Sequence, residues 1–289
     1  MHAFLSPLDL AKAVGVSESS VKRWVDGGRI RAHRTAGGHR RVALGEAIRF
    51  VREAGLPLVR PDCLGLGDLA SAGEGVLAEQ RGEHLLRLLR NGSGGEVRGL
   101  VVSWYLEGEG IAELADGPLC YALEALGELW QDGDDGIVAE HRATDICLQA
   151  VSQLRLLLPA AAEDAPLAVG GSPGIDLVGS QLAGAVIAEG GWRSVNLGAQ
   201  TPPDILARAV EDLRPRLVWI SLTHPESAQG LGSRIGLLLE VLDRTGGMLI
   251  VGGRSHRQAG LPSHSRLHQG GSLADLAGFA RGLREDAAL

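Results

Sequence analysis

The chain has 289 residues and a formal net charge of −7, with 45% apolar and 22% charged side chains. This length suggests about two domains, and the apolar fraction is sufficient to bury sizeable cores. No apolar run is long enough for a membrane-spanning helix, the N-terminus has no signal-peptide pattern, and the three dispersed cysteines favour neither a disulfide framework nor a zinc site. We therefore expect a cytoplasmic protein without a membrane partner.

The charge is distributed unevenly along the chain. Residues 1–60 carry 11 Lys or Arg and 5 Asp or Glu, a net charge of +6, which leaves −13 on the remainder. Only the front of the chain is therefore suited to approach phosphate groups.

Two capped helices are predicted at the start of the chain. Ser6, with Asp9 three residues later, has the spacing of a capping box and predicts a helix that ends near Val14. Ser17 predicts the cap of a second helix, which ends near Asp26. A short strand over residues 30–33, a glycine-rich basic hairpin tip over residues 35–41 and a third helix over residues 44–54 complete this segment.

This order of elements predicts a winged helix-turn-helix, in which the second helix enters the major groove and the hairpin lies on phosphates or in the minor groove. The alternative is a basic but inert small helical domain. The expected DNA-binding residues form two sets, one on the second helix and one on the hairpin: Ser19, Ser20, Lys22 and Arg23, then Arg34, His39, Arg40 and Arg41.

The sequence VSESSVKRW (residues 16–24), followed by RTAGGHRR (residues 34–41), resembles the MerR family of transcriptional regulators over about residues 5–55. The resemblance implies a dimer that binds double-stranded operator DNA of dyad symmetry. It also implies that Arg40 and Arg41 clamp the DNA backbone, and that Lys22 and Arg23 lie at the groove.

Helical patterns dominate the middle of the chain. Residues 56–67, rich in Pro and Gly, predict a linker. Four helical segments joined by short loops predict a helical bundle, at residues 69–90, 96–107, 111–130 and 136–158. With a second linker at residues 159–166, the predicted domains are residues 1–60, 66–160 and 166–286.

After residue 166, short apolar runs alternate with helical stretches. This alternation predicts a doubly wound, flavodoxin-like parallel sheet, so that the whole is a multidomain α and α/β protein. A ligand crevice is expected at the carboxyl ends of the strands, which are rich in Gly, Ser and Thr at residues 170–174, 198–201, 221–224 and 252–255.

Trp130 precedes Glu140 and His141, which lie on the next predicted helix. An indole offers a flat apolar face, and a Glu-His pair can hydrogen-bond or ligate. Taken alone, this spacing is more often core packing beside a polar surface than a binding site.

In combination, the predicted winged helix-turn-helix, helical bundle and parallel sheet resemble the light-responsive, cobalamin-dependent regulators. The resemblance implies that the bundle caps the upper face of adenosylcobalamin with Trp130, Glu140 and His141. It implies that the sheet domain holds the lower face and the nucleotide tail, with Ser221 and Gly252-Gly253 matching the family's Ser and Gly-Gly signatures. It further implies a tetramer that binds DNA in the dark and that light disassembles.

Two positions differ from that family. Asp176 stands where the family has the His that ligates cobalt from below, and Gln131 replaces the His that follows the capping Trp. A carboxylate is a harder ligand than imidazole, and Asp176 also suits an ordinary helix cap. Three alternatives follow: cobalamin without a protein lower ligand; another tetrapyrrole such as a bilin (biliverdin) or haem, contacted by His141, Asp176 or a cysteine; or an empty pocket that serves oligomerisation alone.

No metal site is predicted. His256, His264 and His268 lie near the last strand without cysteines or a fixed ligand geometry, which favours loop histidines. A nucleophile elbow and paired catalytic carboxylates are also missing from the sequence, so an enzyme is not expected.

The sequence therefore predicts a transcriptional regulator of the repressor type, in which a tetrapyrrole ligand changes the association of protomers as dimers or tetramers. One rival is a ligand-independent DNA-binding regulator with a degenerate sensor. The other is a cobalamin-dependent methyltransferase or mutase carrier module, a class that relies on the His that Asp176 replaces.

Overall fold

The computed structural model of the chain describes residues 4–71, 76–128, 134–175 and 177–285. It divides into two compact units, one of residues 1–110 with 117–160 and the other of residues 111–116 with 161–289. The first unit is helical and the second contains a five-stranded parallel sheet, which confirms this part of the predicted fold. Within the described residues, no helix is both long and apolar enough to cross a membrane.

The first unit opens with two short helices, a hairpin and a third helix. Their bounds are β1 (Phe4–Leu5), α1 (Pro7–Val14), α2 (Glu18–Asp26), β2 (His33–Arg34), β3 (Arg40–Ala43) and α3 (Leu44–Glu53). Strand β3 pairs antiparallel with both β1 and β2. The predicted helix, turn, helix and hairpin are therefore present in the expected order.

Side-chain caps explain where α1 and α2 begin. The Ser6 hydroxyl accepts a hydrogen bond from the Asp9 amide, and the Asp9 carboxylate accepts one from the Ser6 amide, so the predicted capping box is formed. The Ser6 hydroxyl also donates to the Asp9 carboxylate at 2.7 Å, and this bond, together with the bond from the Ser6 amide, lowers the pKa of Asp9. Gly15 ends α1 in the left-handed region at φ 70°, and Ser17 caps α2.

Three details of this region differ from the sequence-based prediction. The strand predicted over residues 30–33 forms at His33–Arg34, and β1 was not predicted. The predicted linker of residues 56–67 instead contains the 3-10 helix Pro61–Leu64 and the start of another, Gly67–Ser71. Leu64 and Leu66 are fully buried, so this segment contributes to the core.

The rest of the helical region has the bounds α4 (Arg81–Asn91), α5 (Gly94–Leu106), α6 (Ile111–Leu114), α7 (Cys120–Gly127) and α8 (Asp134–Leu157). Helices α4, α5, α7 and α8 pack against one another in the first unit. The first predicted bundle helix was too long at its start, because residues 67–71 and 78–80 form 3-10 turns. The helix predicted over residues 111–130 is interrupted at Gly117-Pro118, where Gly117 has the non-helical angles φ −93° and ψ −105°.

Helix α3 packs closely on the bundle within this unit. A Cβ at Gly45 would overlap the carbonyl oxygen of Leu158, so the two backbones touch and only glycine fits. The Arg52 guanidinium lies 3.8 Å from the Tyr105 ring centroid and donates to the Glu109 carbonyl at 2.9 Å. These contacts join the hairpin segment and the bundle into one compact body.

The second unit is built on five parallel strands, β4 (Leu167–Gly171), β5 (Arg193–Asn196), β6 (Leu217–Ser221), β7 (Met248–Gly252) and β8 (Leu267–Gly270). Their order is β5-β4-β6-β7-β8, with every neighbouring pair parallel. From β4 the chain first adds β5 on one side of that strand and then crosses back to add β6 on the other side. The topological switch point therefore lies between β4 and β6. The doubly wound sheet is confirmed, although β8 was not predicted.

Helices cover both faces of this sheet. They are α9 (Val178–Glu189), α10 (Pro203–Leu213), α11 (Pro225–Ala228), α12 (Leu231–Arg234), α13 (Gly236–Thr245) and α14 (Leu273–Glu285). The core between the sheet, α9 and α14 contains Trp192 and Trp219. The core on the opposite face joins Val169 and Val218 to residues of α10 and α13.

Helix α6, although adjacent in sequence to the bundle, belongs to the second unit. Ile111 and Leu114 are fully buried, and α6 packs on α9 and α14. The Ile111 amide donates to the Glu189 carboxylate at 2.8 Å. The Asp116 carboxylate accepts from the amides of Leu273 and Ala274 at 2.9 and 2.8 Å, and so caps the N-terminus of α14.

Candidate functional site

The predicted recognition helix α2 presents a polar surface. Ser19 and Arg23 are exposed, while Ser20 and Lys22 are half-buried. The Ser20 hydroxyl lies 2.9 Å from that of Ser17 and 3.4 Å from a nitrogen of Arg23, and Lys22 forms an ion pair with Glu18 at 2.8 Å. The exposed serine and arginine are the groups that remain most open to an incoming partner.

The hairpin is joined to α2 by one ion pair. Arg40 donates to both carboxylate oxygens of Asp26, at 2.7 and 2.9 Å, with a third bond of 3.1 Å from its Nε. Only 23% of the Arg40 side chain is exposed. Arg40 therefore anchors the hairpin to the end of α2, a structural role that sequence spacing did not reveal.

The other predicted hairpin residues, Arg34, His39 and Arg41, are exposed. The tip closes by a bond from the Thr35 amide to the His39 carbonyl at 2.9 Å, with Gly38 at φ 76°. Two arginines thus flank a tight turn and are accessible to phosphate.

Glu46 of α3 is a buried acid that supports the approach to the hairpin. Its carboxylate accepts from the Arg31 amide at 2.8 Å and from Arg49 at 2.9 and 2.5 Å. Burial acts to raise the pKa of Glu46, but the bonds from Arg49 and Arg31 outweigh it and lower that pKa. Arg49 also donates to the Arg29 carbonyl, so this charged cluster fixes residues 29–31 before the hairpin.

The carboxyl edge of the sheet forms the second candidate site. Ser221 ends β6 opposite Gly252 of β7, and Ser221 is 7% exposed. Gly253 follows in the left-handed region at φ 97°, and a Cβ there would lie 2.5 Å from the Leu222 carbonyl oxygen. At β4, a Cβ on Gly171 would lie 2.8 Å from the Gly198 oxygen. The edge is therefore made of close-packed backbone turns.

Below this edge, Trp219 fills the space over β4. A Cβ on Gly170 would overlap its indole, which is 2% exposed and whose buried Nε1 has no hydrogen-bond partner among the described residues. Asn196 lies in the same row of the sheet, and its buried Nδ2 likewise has no partner in the described part of the chain. The core beneath the switch point is thus occupied by protein on the face that α9 and α14 cover.

The remaining predicted ligand contacts are placed as follows. Glu140 and His141 lie on α8, where Glu140 accepts from the Thr144 hydroxyl at 2.8 Å and His141 is 69% exposed at the side chain. Trp130 and Asp176 lie outside the described residues. The capping role that the resemblance implies for Trp130, Glu140 and His141 stays a prediction.

No family model and no protein of curated function matches the chain. Among solved structures, the monomethylamine corrinoid protein of Methanosarcina barkeri is similar over 72% of this chain and 100% of its own, with 14% identity and a TM-score of 0.53. At this identity the match establishes a shared fold, that of a corrinoid protein.

Two further structures are similar at lower scores. One is a cobalamin-binding protein from Desulfitobacterium hafniense DCB-2, with 16% identity, 69% of this chain and 97% of its own covered, and a TM-score of 0.32. The other is the methanol:cobalamin methyltransferase complex of Methanosarcina barkeri, with 14% identity, coverages of 73% and 86%, and a TM-score of 0.34.

Proposed function

We propose that this chain is a DNA-binding transcriptional regulator of the repressor type, whose sheet domain binds a tetrapyrrole-type ligand that controls how protomers associate. The observation that carries the proposal is the helix-turn-helix and hairpin with the exposed cations Arg23, Arg34 and Arg41, in the segment of residues 1–60 that has a net charge of +6. Coupling follows if the ligand binds one assembly more tightly than another, because linked DNA-binding modules gain affinity without new contacts.

The DNA-binding half is tested with the full chain and a random-sequence duplex pool taken through rounds of selection. The wild type is expected to enrich a dyad-symmetric motif, and the variant Arg34→Ala with Arg41→Ala to lose it. When an arginine no longer contacts a phosphate, log affinity should fall less steeply with log salt concentration, and the slope should become less negative by about 0.9. Arg208→Ala is the matched control, because the Arg208 side chain is 79% exposed on α10 of the sheet domain, outside the basic segment of residues 1–60. Failure of the wild type to enrich any motif contradicts the DNA-binding proposal, and equal enrichment by all three proteins shows that Arg34 and Arg41 are not the contacts.

The geometry of the sheet edge favours a flat ligand. Close backbone turns at Gly171 and Gly253, on either side of the strand that ends at Ser221, suit van der Waals contact with a planar ring. A ligand arm that descended between β4 and β6 on the α9 and α14 face would meet the indole of Trp219. The residues therefore fit the ring of a corrin, haem or bilin better than they fit a long appended arm.

The ligand half is tested by absorbance spectra of the full chain with aquocobalamin, cobinamide, haem and biliverdin in turn. Cobinamide, which lacks the nucleotide arm, is expected to bind at least as tightly as aquocobalamin. Ser221→Leu should weaken retention because it fills the edge, whereas Ser233→Leu, at an exposed position on α12, should not. Unchanged spectra with all four compounds would overturn the ligand-binding proposal.

A further inference from the structure

A cavity of about 610 Å³ lies within the first unit, and all of its lining residues belong to that unit. Its walls are formed by α5, α8 and the segment of residues 65–68, which contains the start of the 3-10 helix Gly67–Ser71. The volume falls in the range of small-molecule sites, about 300–1,000 Å³. The lining includes no residue of α2, the hairpin or the sheet edge, so this cavity is separate from both candidate sites.

Helix α8 supplies most of the lining. Its contributing residues are spaced by three or four positions, so they fall on one side of the helix: Asp145, Leu148, Gln149, Ser152, Gln153 and Leu156. This run covers about three turns, or about 16 Å. Leu156 is 58% exposed, so the cavity is open to solvent beside it. The cavity is therefore an elongated groove with a mixed polar and apolar wall.

The charged groups of the groove form a chain of hydrogen bonds that leaves one carboxylate without a cation. Arg98 donates from Nε to Asp68 at 2.8 Å and from Nη1 to the Gln149 side-chain oxygen at 2.7 Å. The Gln149 amide nitrogen donates to Asp145 at 2.8 Å. Arg98 thus offsets the charge of Asp68, whereas Asp145 forms no ion pair within the described residues. With two aspartates and one arginine, the lining has a formal net charge of −1.

The amide of Gln153 is a second unmatched group in the groove. Gln153 is only 9% exposed, and in the described part of the chain its side chain makes no hydrogen bond. Buried side-chain amides are nearly always hydrogen-bonded, because an unpaired one loses its contacts with water and gains nothing in return. A polar group on a bound molecule would supply the missing partner.

We propose that this groove binds an elongated aliphatic amine that carries a second polar group. The ammonium group pairs with Asp145, the methylene chain packs on Leu148, and the second polar group bonds to the Gln153 amide. The net negative charge of the lining favours a cation over an anion. The binding site does not depend on the proposed function, since none of its residues takes part in the DNA-binding or sheet-edge surfaces.

The test is isothermal titration calorimetry of the full chain with three probes of equal chain length. They are 6-amino-1-hexanol, hexylamine, which lacks the hydroxyl, and 1,6-hexanediol, which lacks the charge. The wild type is expected to bind 6-amino-1-hexanol about tenfold more tightly than the diol, because only the amine pairs with Asp145. It should also bind the amino alcohol about threefold more tightly than hexylamine, the effect of one hydrogen bond.

Variants assign each preference to its residue. Asp145→Asn keeps an oxygen that can accept from Gln149 but removes the charge, so the preference for 6-amino-1-hexanol over the diol should disappear. Gln153→Leu has a similar size without the amide, so the preference over hexylamine should disappear. Glu83→Gln is the matched control, because it removes one negative charge at an exposed position of α4, in the same unit but outside the groove, and both preferences should remain.

Several results would overturn the proposal. Absence of saturable 6-amino-1-hexanol binding by the wild type at millimolar concentration would remove the site. Diol binding as tight as that of the amino alcohol would exclude a cation. If Asp145→Asn keeps the wild-type preference, or loses no more of it than Glu83→Gln does, the amine responds to the overall charge of the protein and not to this groove. None of these results bears on DNA or tetrapyrrole binding.

Discussion

Replacement of Glu46 by Gln should destabilise the first unit in a pH-dependent way. The carboxylate is buried and accepts three hydrogen bonds, two of them from the Arg49 guanidinium. Gln keeps the shape but loses the charge and offers one of the two oxygens. Hydrogen bonds to charged groups contribute about 1.5–3 kcal/mol, and the 29% exposure of Arg49 reduces the electrostatic part. We expect a loss of about 2 kcal/mol in the free energy of unfolding.

The pH dependence follows from the direction of the pKa shift. The pKa of Glu46 is lowered in the folded state from the ordinary value of 4.5. Its stabilising contribution is therefore complete above the unfolded-state pKa, and it is lost as the pH falls through the lower folded-state pKa. The difference between wild type and Glu46→Gln should be full at pH 7 and should shrink steadily below about pH 4.5.

The assay is differential scanning calorimetry of the full chain at pH 7 and at several lower pH values. A loss of about 2 kcal/mol corresponds to a fall of roughly 4–8 °C in the transition of a unit of this size. Glu53→Gln is the matched control, because Glu53 pairs with the same arginine but its side chain is 61% exposed, and it should cost under about 0.5 kcal/mol. Equal transitions for the two variants at pH 7, or a deficit that does not change with pH, would refute the reasoning.

Three other predictions concern packing and charge. Gly170→Ala should lower stability by about 1–3 kcal/mol, because the new methyl group overlaps the Trp219 indole, and unfolding in denaturant that leaves it as stable as the wild type would contradict this packing. A double-mutant cycle of Arg40→Ala and Asp26→Ala should give a coupling of about 0.5–1 kcal/mol in thermal unfolding, and a value near zero would mean that the pair does not anchor the hairpin. Burial raises the pKa of Cys147 to about 12, so its thiol should resist alkylation at pH 8 until the chain unfolds, as measured by mass spectrometry; rapid labelling of the folded chain would argue against that burial.

Local signals in the sequence were sufficient for much of the fold. Caps at Ser6 and Ser17 located α1 and α2, and four apolar runs located strands β4 to β7. Helix caps and apolar strand runs depend on residues that are close in the sequence, so residue type and spacing are sufficient to predict them. Strand β8 was missed because its middle residues, His268 and Gln269, are polar and exposed at the edge of the sheet.

Tertiary pairings explain what the sequence could not predict. Arg40 donates to Asp26, which stands 14 positions earlier in the sequence, and no local pattern encodes such a pair; the expected contact of Arg40 with the DNA backbone stays a prediction. The helical period of residues 111–130 concealed the break at Pro118, because four residues of α6 are too few to show a period of their own. Likewise, the bond between the His256 ring and the Gly253 carbonyl depends on the turn at Gly253, which sequence spacing does not describe.

The position of α6 has a consequence for the time course of folding. Its partner α14 follows much later in the sequence, and the bond between Asp116 and Leu273 spans 157 residues. At a synthesis rate of about 5–20 residues per second, α6 emerges roughly 8–30 s before the helix that completes its environment. During that interval the apolar side chains of Ile111 and Leu114 are only partly covered, so the nascent chain exposes an apolar surface until α14 has been synthesised and packed.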